Sequence, residues 1–339
     1  MSKIKSAVIG LGYWGPNLAR NFQASGDFEL VGLCDWEAKR LERVGAGYPM
    51  AQTFTDLSEL LSKARPELVA IATPVATHYS LVKASLEAGC HVLCEKPLAA
   101  TAKEAEELVE LAAKKGRSLF VDHTFTYTGS VRTIRDLYRA GGLGDLFYVD
   151  SVRINLGLFQ PDVDVFWDLA PHDLSILNYV IGQKVVSVRA VGTCHNPRNF
   201  SDVGYLDLTY ASGLTAHLHL SWLSPVKVRR MIFSGSKSSL IFDDLEMSEK
   251  IKIYDQGVSF DIADVEHRRQ VLVNYRKGDM HAPAVGNGEA LATELAEISG
   301  HIRGTTKAAA MGEDGLEIVR ILEASTESLA RDGARVPLA

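Results

Sequence analysis

Two groups of residues have the types and spacing for proton and charge chemistry. Lys96 stands between Glu95 and Pro97, directly after an apolar run at 91–95 that reads as a buried strand. Most lysines are solvated. One pinned at a strand end beside another positive charge has its ammonium disfavoured, and it can bond a hydroxyl and stabilise a developing alkoxide. Glu95 would hold this lysine or a ribose, and a capping role is the plain alternative. Asp168 and His172 are four residues apart in a helical run at 167–181. That spacing puts both on one face, where a carboxylate orients an imidazole and raises its basicity. Pro171 falls inside the run, and a helix beginning only there would weaken this pairing. Asp173 is a second carboxylate or a first-turn charge.

A third group points to a nucleotide. Gly10, Gly12 and Gly15 form Gly-x-Gly-x-x-Gly, with Tyr13 and Trp14 counted among the loop's cofactor contacts. Gly10 permits a tight turn, Gly12 lets a pyrophosphate come close, and Gly15 lets helix pack on strand. The free amides of the helix start face the anion. The run is a weak signal alone, but a strand precedes it and a helix follows. Asp35 ends the second strand, where a carboxylate bonds ribose hydroxyls and repels a 2′-phosphate. NAD is therefore expected over NADP, with a helix N-cap as the alternative role for Asp35. Thr73 and Pro74 end the third strand, at the edge where open α/β sheets bind ligands. Pro74 lets that loop pack on a nicotinamide or is an ordinary loop proline. His78, in the next helix's first turn, is a cofactor contact or a surface histidine.

These residues need elements that bring them to one edge. Strands at 5–10, 28–35, 67–73, 91–95 and 118–122 alternate with helices at 16–24, 37–45, 58–64, 78–88 and 102–115. This alternation predicts a doubly wound parallel α/β sheet. After 124 comes a helix at 131–139. Strand-like runs follow at 147–155, 185–192, 203–210, 214–222, 228–233 and 239–242, with a weaker one at 250–254. They predict an α+β domain with an open, predominantly antiparallel sheet and few helices. Residues 255–289 resist assignment, and helices near 290–302 and 312–332 close the chain. The expected division is a Rossmann domain at 1–124 and a substrate and oligomerisation domain at 125–339, whose last helices can pack back on the first. His217 and His219 share a strand face with Thr215 and Ser221. Lacking a third ligand, they read as a polar or subunit-interface face rather than a metal site. Ala216, Leu218, Leu220 and Trp222 should face the core.

Bulk properties narrow the classes. A length of 339 residues favours two domains, and 46% hydrophobic residues supply two cores. A net charge of −6 argues against nucleic acid, and the basic stretch at 227–230 reads as a solvated strand face. No run approaches the roughly 18 apolar residues of a membrane span. The first residues enter a strand at once, unlike a signal peptide. Cys34, Cys90, Cys94 and Cys194 form no Cys-x-x-Cys pair and sit in apolar, strand-like settings. Neither a disulfide framework nor a zinc site is expected, and a reducing, cytoplasmic compartment fits.

GLGYWGPNLARNF at 10–22, ATPVATHYSLVKASLEAGCHVLCEKPLA at 72–99 and FWDLAPHDLSIL at 166–177 resemble, in this order, the glucose–fructose oxidoreductase/inositol dehydrogenase (GFO/IDH/MocA) family. The resemblance spans nearly the whole chain and implies the open antiparallel sheet after 124. It implies an NAD-dependent oxidoreductase acting on a secondary alcohol of a sugar, with Lys96, Asp168 and His172 as the catalytic set. Members often carry an aspartate three residues after the histidine; here that position is Ser175, and Asp173 is adjacent. RINLG at 153–157 with WDLAPHDLSIL is similar to a subgroup linked to nucleotide sugars, which includes UDP-N-acetylglucosaminuronic acid 3-dehydrogenases. A 3-dehydrogenase of a UDP-N-acetyl-hexuronic acid is the leading expectation. An NAD(P)H-dependent ketosugar reductase or an inositol or polyol dehydrogenase is the alternative. A catalytically silent nucleotide-sensing regulator is the rival of another class, and Lys96 with His172 argues against it. His123, Tyr127, Arg153 and Asn155 can each touch a sugar hydroxyl or carboxylate or serve structure, with Arg153 best suited to an anion. An exposed sheet face predicts a homodimer or tetramer.

Overall fold

Short apolar runs that end at glycine or at a polar residue become the buried strands of the first sheet. A computed structural model describes residues 2–157, 159, 163–197, 200–255, 257–260, 273–276 and 278–338. The chain forms two compact units, one of Met1–Thr128 with Gly288–Glu323 and one of Gly129–Asn287 with Ala324–Ala339. In the first, strands β1 (Ile4–Ile9), β2 (Phe28–Cys34), β3 (Gln52–Phe54), β4 (Leu68–Ile71), β5 (His91–Cys94) and β6 (Leu119–Val121) pair in parallel in the order β3-β2-β1-β4-β5-β6. Helices α1 (Gly15–Ala24), α2 (Ala38–Gly45), α3 (Leu57–Lys63), α4 (His78–Glu87) and α5 (Ala102–Lys115) connect them. The order reverses between β1 and β4, the switch point at which doubly wound sheets hold ligands. Val8, Leu33, Ala70 and Leu93 are fully buried beneath Leu18 and Phe22 of α1. Thr101 caps α5 by accepting from the Glu104 amide, and Gly116 ends it with a φ of +63°. Strand β3 has no apolar run to announce it, because two of its three residues are exposed.

The second unit begins with α6 (Gly129–Arg139), β7 (Leu146–Leu156) and α7 (Val165–Ile181). Strands β8 (Val185–Thr193), β9 (Val203–Tyr210), β10 (Thr215–Ser221), β11 (Leu223–Gly235), β12 (Ser239–Asp243) and β13 (Ile251–Tyr254) follow. Then come β14 (Gly257–Phe260), β15 (Val273–Arg276), β16 (Met280–His281) and, near the chain's end, β17 (Val336–Pro337). Nine strands form one sheet in the order β16-β13-β12-β11-β7-β10-β9-β8-β17, antiparallel except where β7 and β10 run parallel. Strands β14 and β15 pair with each other. The sequence at 255–289 thus contributes three short strands, while its residues 256, 261–272 and 277 lie outside the described residues.

Alternation along β10 sorts the sheet's faces as expected. Ala216, Leu218, Leu220 and Trp222 are buried. On the other face, His217 and His219 stack on Tyr205, and His217 Nδ1 lies 2.6 Å from an Asp207 oxygen. Helix α7 starts before Pro171, not at it. Asp164 caps it by accepting from the Phe166 and Trp167 amides, and the helix continues through the proline to Gly182, at φ +65°. Asp168 and His172 therefore occupy successive turns of one helix. The tip of the Phe166 ring meets bare backbone, since a Cβ on Gly204 of β9 would lie 2.2 Å from its Cζ. The chain returns to the first unit with α8 (Ala290–Ile302), whose Leu291, Leu295 and Ile298 join the α1 core. Helix α9 (Gly312–Ala330) follows.

Gly204→Ala forces the Phe166 ring off its seat. It should cost about 1–3 kcal/mol of stability as overpacking, read as a lower urea midpoint, with F166L/G204A recovering part of the loss.

Candidate active site

The turn from β1 into α1 is built on missing side chains. Gly10 has a φ of +88°, and a Cβ there would lie 2.4 Å from the Ala72 carbonyl oxygen. A Cβ on Gly15 would lie 1.8 Å from the Gly10 carbonyl oxygen. Both glycines are demanded by the protein's own packing. Gly12 is different: a Cβ there meets only the Arg40 guanidinium, at 3.9 Å. Nothing among the described residues requires that bareness, so the residues fit a ligand that approaches the backbone, as a pyrophosphate does.

Asp35, buried at the end of β2, ties this turn down. Its Oδ2 accepts from the Leu11 amide at 2.7 Å and its Oδ1 from the Glu37 amide at 2.9 Å. A carboxylate has about four lone-pair sites, so acceptor capacity for ribose hydroxyls remains. The Arg40 guanidinium stands 3.8 Å from Asp35, and Trp36 beside it is 83% exposed. Sequence reading missed both. Their position one and five residues beyond the acidic strand end was the available signal. Tyr13 projects into solvent, while the Trp14 indole N–H turns inward and donates to Asp122 Oδ2 at 2.8 Å.

The loops after β4, β5 and β6 carry the other predicted residues of this unit. Pro74 starts a turn at Val75–Thr77, and the Thr77 hydroxyl donates to the Thr73 hydroxyl at 2.8 Å. His78 is neither a surface residue nor open to a cofactor. Its buried ring nitrogens lie 2.9 Å from the Pro97 carbonyl oxygen and 2.8 Å from that of Thr73. It joins the two loops, and burial lowers its basicity against the pull of those carbonyls. Lys96 is half-buried, and its amide donates to Glu95 Oε2 at 3.1 Å. His123 is 3% exposed, with neither ring nitrogen partnered among the described residues. Burial and then the Lys96 charge lower its pKa to about 3, so the ring is neutral in physiological solution. Tyr127 belongs to the core, its hydroxyl accepting from the Ala310 amide at 3.2 Å.

In the second unit, Asp168 accepts from the Trp222 indole at 3.1 Å, and His172 stands one turn on, half-buried. The Ser175 hydroxyl, three residues after the histidine, donates to the His172 carbonyl at 2.8 Å. Arg153 and Asp173 bind each other. The guanidinium donates to Asp173 Oδ1 at 2.9 and 2.6 Å, with both residues buried. Asn155, two residues along β7, is half-buried. Cys34, Cys90 and Cys94 are buried thiols whose ionisation burial opposes, whereas Cys194, expected in an apolar setting, is exposed.

A parallel sheet with a bare-backbone turn at its switch point and a buried acid closing β2 defines a dinucleotide-binding Rossmann protein. Residues 4–123 match the model of the oxidoreductase family with an NAD-binding Rossmann fold, and residues 131–241 match the GFO/IDH/MocA C-terminal domain. The chain belongs to the GFO/IDH/MocA oxidoreductase family, and its nucleotide cofactor is NAD. It is 28% identical to scyllo-inositol 2-dehydrogenase (NADP(+)) of Bacillus subtilis, over 85% of this chain and 84% of that one. It is 28% identical to UDP-N-acetylglucosamine 3-dehydrogenase of Acidithiobacillus ferrooxidans, over 76% of this chain and 79% of the relative. That enzyme's solved structure superposes with a TM-score of 0.81 at 24% identity, covering 98% of this chain and 99% of the other. D-apiose dehydrogenase of Paraburkholderia graminis is 27% identical over 66% of this chain, and the match spans 62% of its length.

Gly12→Val should leave stability within about 0.5 kcal/mol, because its side chain meets open space. It should weaken NAD at least tenfold, or about 1.4 kcal/mol, by titration calorimetry. Arg153→Met strands a buried carboxylate and should lower stability by about 3–5 kcal/mol, read by urea denaturation.

Proposed function

We propose that this protein is an NAD-dependent dehydrogenase of a secondary hydroxyl on a nucleotide sugar, of the UDP-N-acetyl-hexuronic acid type. The observation that carries this reading is Lys96, just beyond β5 at the cofactor edge of the sheet, whose charge acts on a neutral His123 without a ring-nitrogen partner among the described residues. Bound NAD supplies the hydride-accepting chemistry. Lys96 stabilises the negative charge developing on the substrate oxygen. His172 takes the hydroxyl proton, and Asp168, fixed by the Trp222 indole, orients that imidazole from one turn away and makes it more basic. His123, kept neutral, offers one donor and one acceptor to the substrate. Asn155 is a second polar contact on β7. Arg153, Asp173 and Tyr127 hold their surroundings, since each is buried against a partner within its own unit.

The names of the relatives support a sugar or cyclitol substrate, and RINLG with WDLAPHDLSIL supports the nucleotide sugar. The scyllo-inositol relative supports a polyol as the second reading. Exposed Tyr148, Tyr205 and Val191 on the open sheet face support a homodimer or tetramer, which light scattering checks.

Reduction of NAD is compared across UDP-N-acetylglucosaminuronic acid, UDP-N-acetylglucosamine, scyllo-inositol and apiose, with the first expected to be fastest. Turnover only with unactivated polyols would replace the nucleotide-sugar reading. Lys96→Ala and His172→Ala should each lower kcat by about 10²–10⁴-fold. Near-normal turnover in K96A would remove Lys96 from the mechanism.

A further inference from the structure

Beneath the cofactor edge, the first unit gathers three carboxyl groups: Asp122 after β6 and Glu294 on α8, both buried, and Glu95 after β5, half-buried. Asp122 is the acceptor among them. Its Oδ2 takes the Trp14 indole N–H at 2.8 Å and its Oδ1 takes the Thr124 hydroxyl at 2.6 Å. Glu294 is 0% exposed, and no donor among the described residues reaches either of its oxygens. Of the charged side chains that act on it, Asp122 does so most strongly, ahead of Glu95 and Glu297. Two carboxylates cannot stand side by side out of water with both ionised, so one keeps a proton. Asp122 already accepts two donors, whereas none among the described residues reaches Glu294, so the proton belongs on Glu294.

We propose that Glu294, carrying this proton, is a positioning residue for the cofactor loop: it donates to Asp122, which holds the Trp14 indole within the Gly10–Gly15 turn. The chain of bonds runs from α8 through the end of β6 to the residue just before α1. Its consequence is that NAD affinity depends on a proton buried away from the nucleotide. The groups facing Glu294 are Asp122, Glu95, Glu297 of its own helix and the Tyr127 phenol. Asp122, Glu95 and Glu297 all oppose its ionisation, after burial itself, and hold its pKa well above the ordinary carboxyl range. Glu95 is raised in the same direction by burial and Asp122, with Lys96 opposing.

A carboxyl whose folded pKa lies above its unfolded one makes the native state bind more protons, so stability falls as pH rises from the unfolded value towards the folded one. Once Glu294 ionises, it repels Asp122 and loosens Trp14. Glu294→Gln keeps a donor and has no proton to lose.

The test measures NAD affinity of the purified full chain by calorimetry, without turnover, so it stands apart from the substrate reading. Glu294→Leu should weaken NAD about tenfold at pH 7, and Glu294→Gln should stay within about twofold. Trp14→Phe should weaken NAD about as much as E294L, and the double variant should lose no more than either single one. As pH rises, affinity and thermal stability should fall more steeply in the native protein than in E294Q. Native affinity in E294L, additive losses in the double variant, or equal pH slopes in E294Q and the native protein would each overturn the proposal. If E294L does not fold, the E294Q slope decides alone.

Discussion

Two stretches of backbone, at Gly10 and Gly15, approach so closely that no side chain fits between them. Most of the cofactor edge depends on this crossing. It aims the Leu11 amide at Asp35, and that bond joins the turn after β1 to the end of β2. It leaves Gly12 as bare main chain facing outward. It also sends the Trp14 indole back to Asp122 at the end of β6. One steric constraint thus links three strand ends, and side-chain hydrogen bonds complete what the sheet ladder begins.

The same edge concentrates buried polar groups, which low local polarity makes consequential. His78 bridges two loop carbonyls, Glu95 and Glu294 are held towards their protonated forms, and His123 is held neutral. Lys96 is the cation set among them. A neutral His123 can serve as hydrogen-bond donor and acceptor, but as a base it is too weak for neutral pH. That separation leaves proton abstraction to His172 in the proposed mechanism.

The second unit solves a different problem, a broad sheet that must hold one long helix at a fixed height. Glycine at 204 lets Phe166 sit on the sheet backbone, and the Arg153–Asp173 pair locks β7 to α7. Desolvating both charges makes such a pair a weak source of net stability, but breaking it leaves an uncompensated ion. Its value is positional, because Asp173 is adjacent to His172.

The sequence by itself determined the alternating first sheet, the glycine turn, Asp35, and the placement of Lys96 at a strand end. Each follows from local periodicity or from a conformation that only one residue type adopts. The buried face of β10 was legible for the same reason, since alternation is a local property. Tertiary structure decided where side chains point once two elements meet. His78 looked like a surface residue because helical position does not reveal an inward rotation onto two loop carbonyls. Arg153 and Asp173 looked available to a ligand because their pairing joins positions 20 residues apart on different elements. Glu294 shares the buried stripe of Leu291, Leu295 and Ile298, so its burial was legible. Its partner Asp122 was not, because α8 reaches the end of β6 only when the chain returns to the first unit. Pro171 misled in the other direction: the Asp164 cap and the packing of Phe166 carry a helix through a residue whose intrinsic preference is to break it.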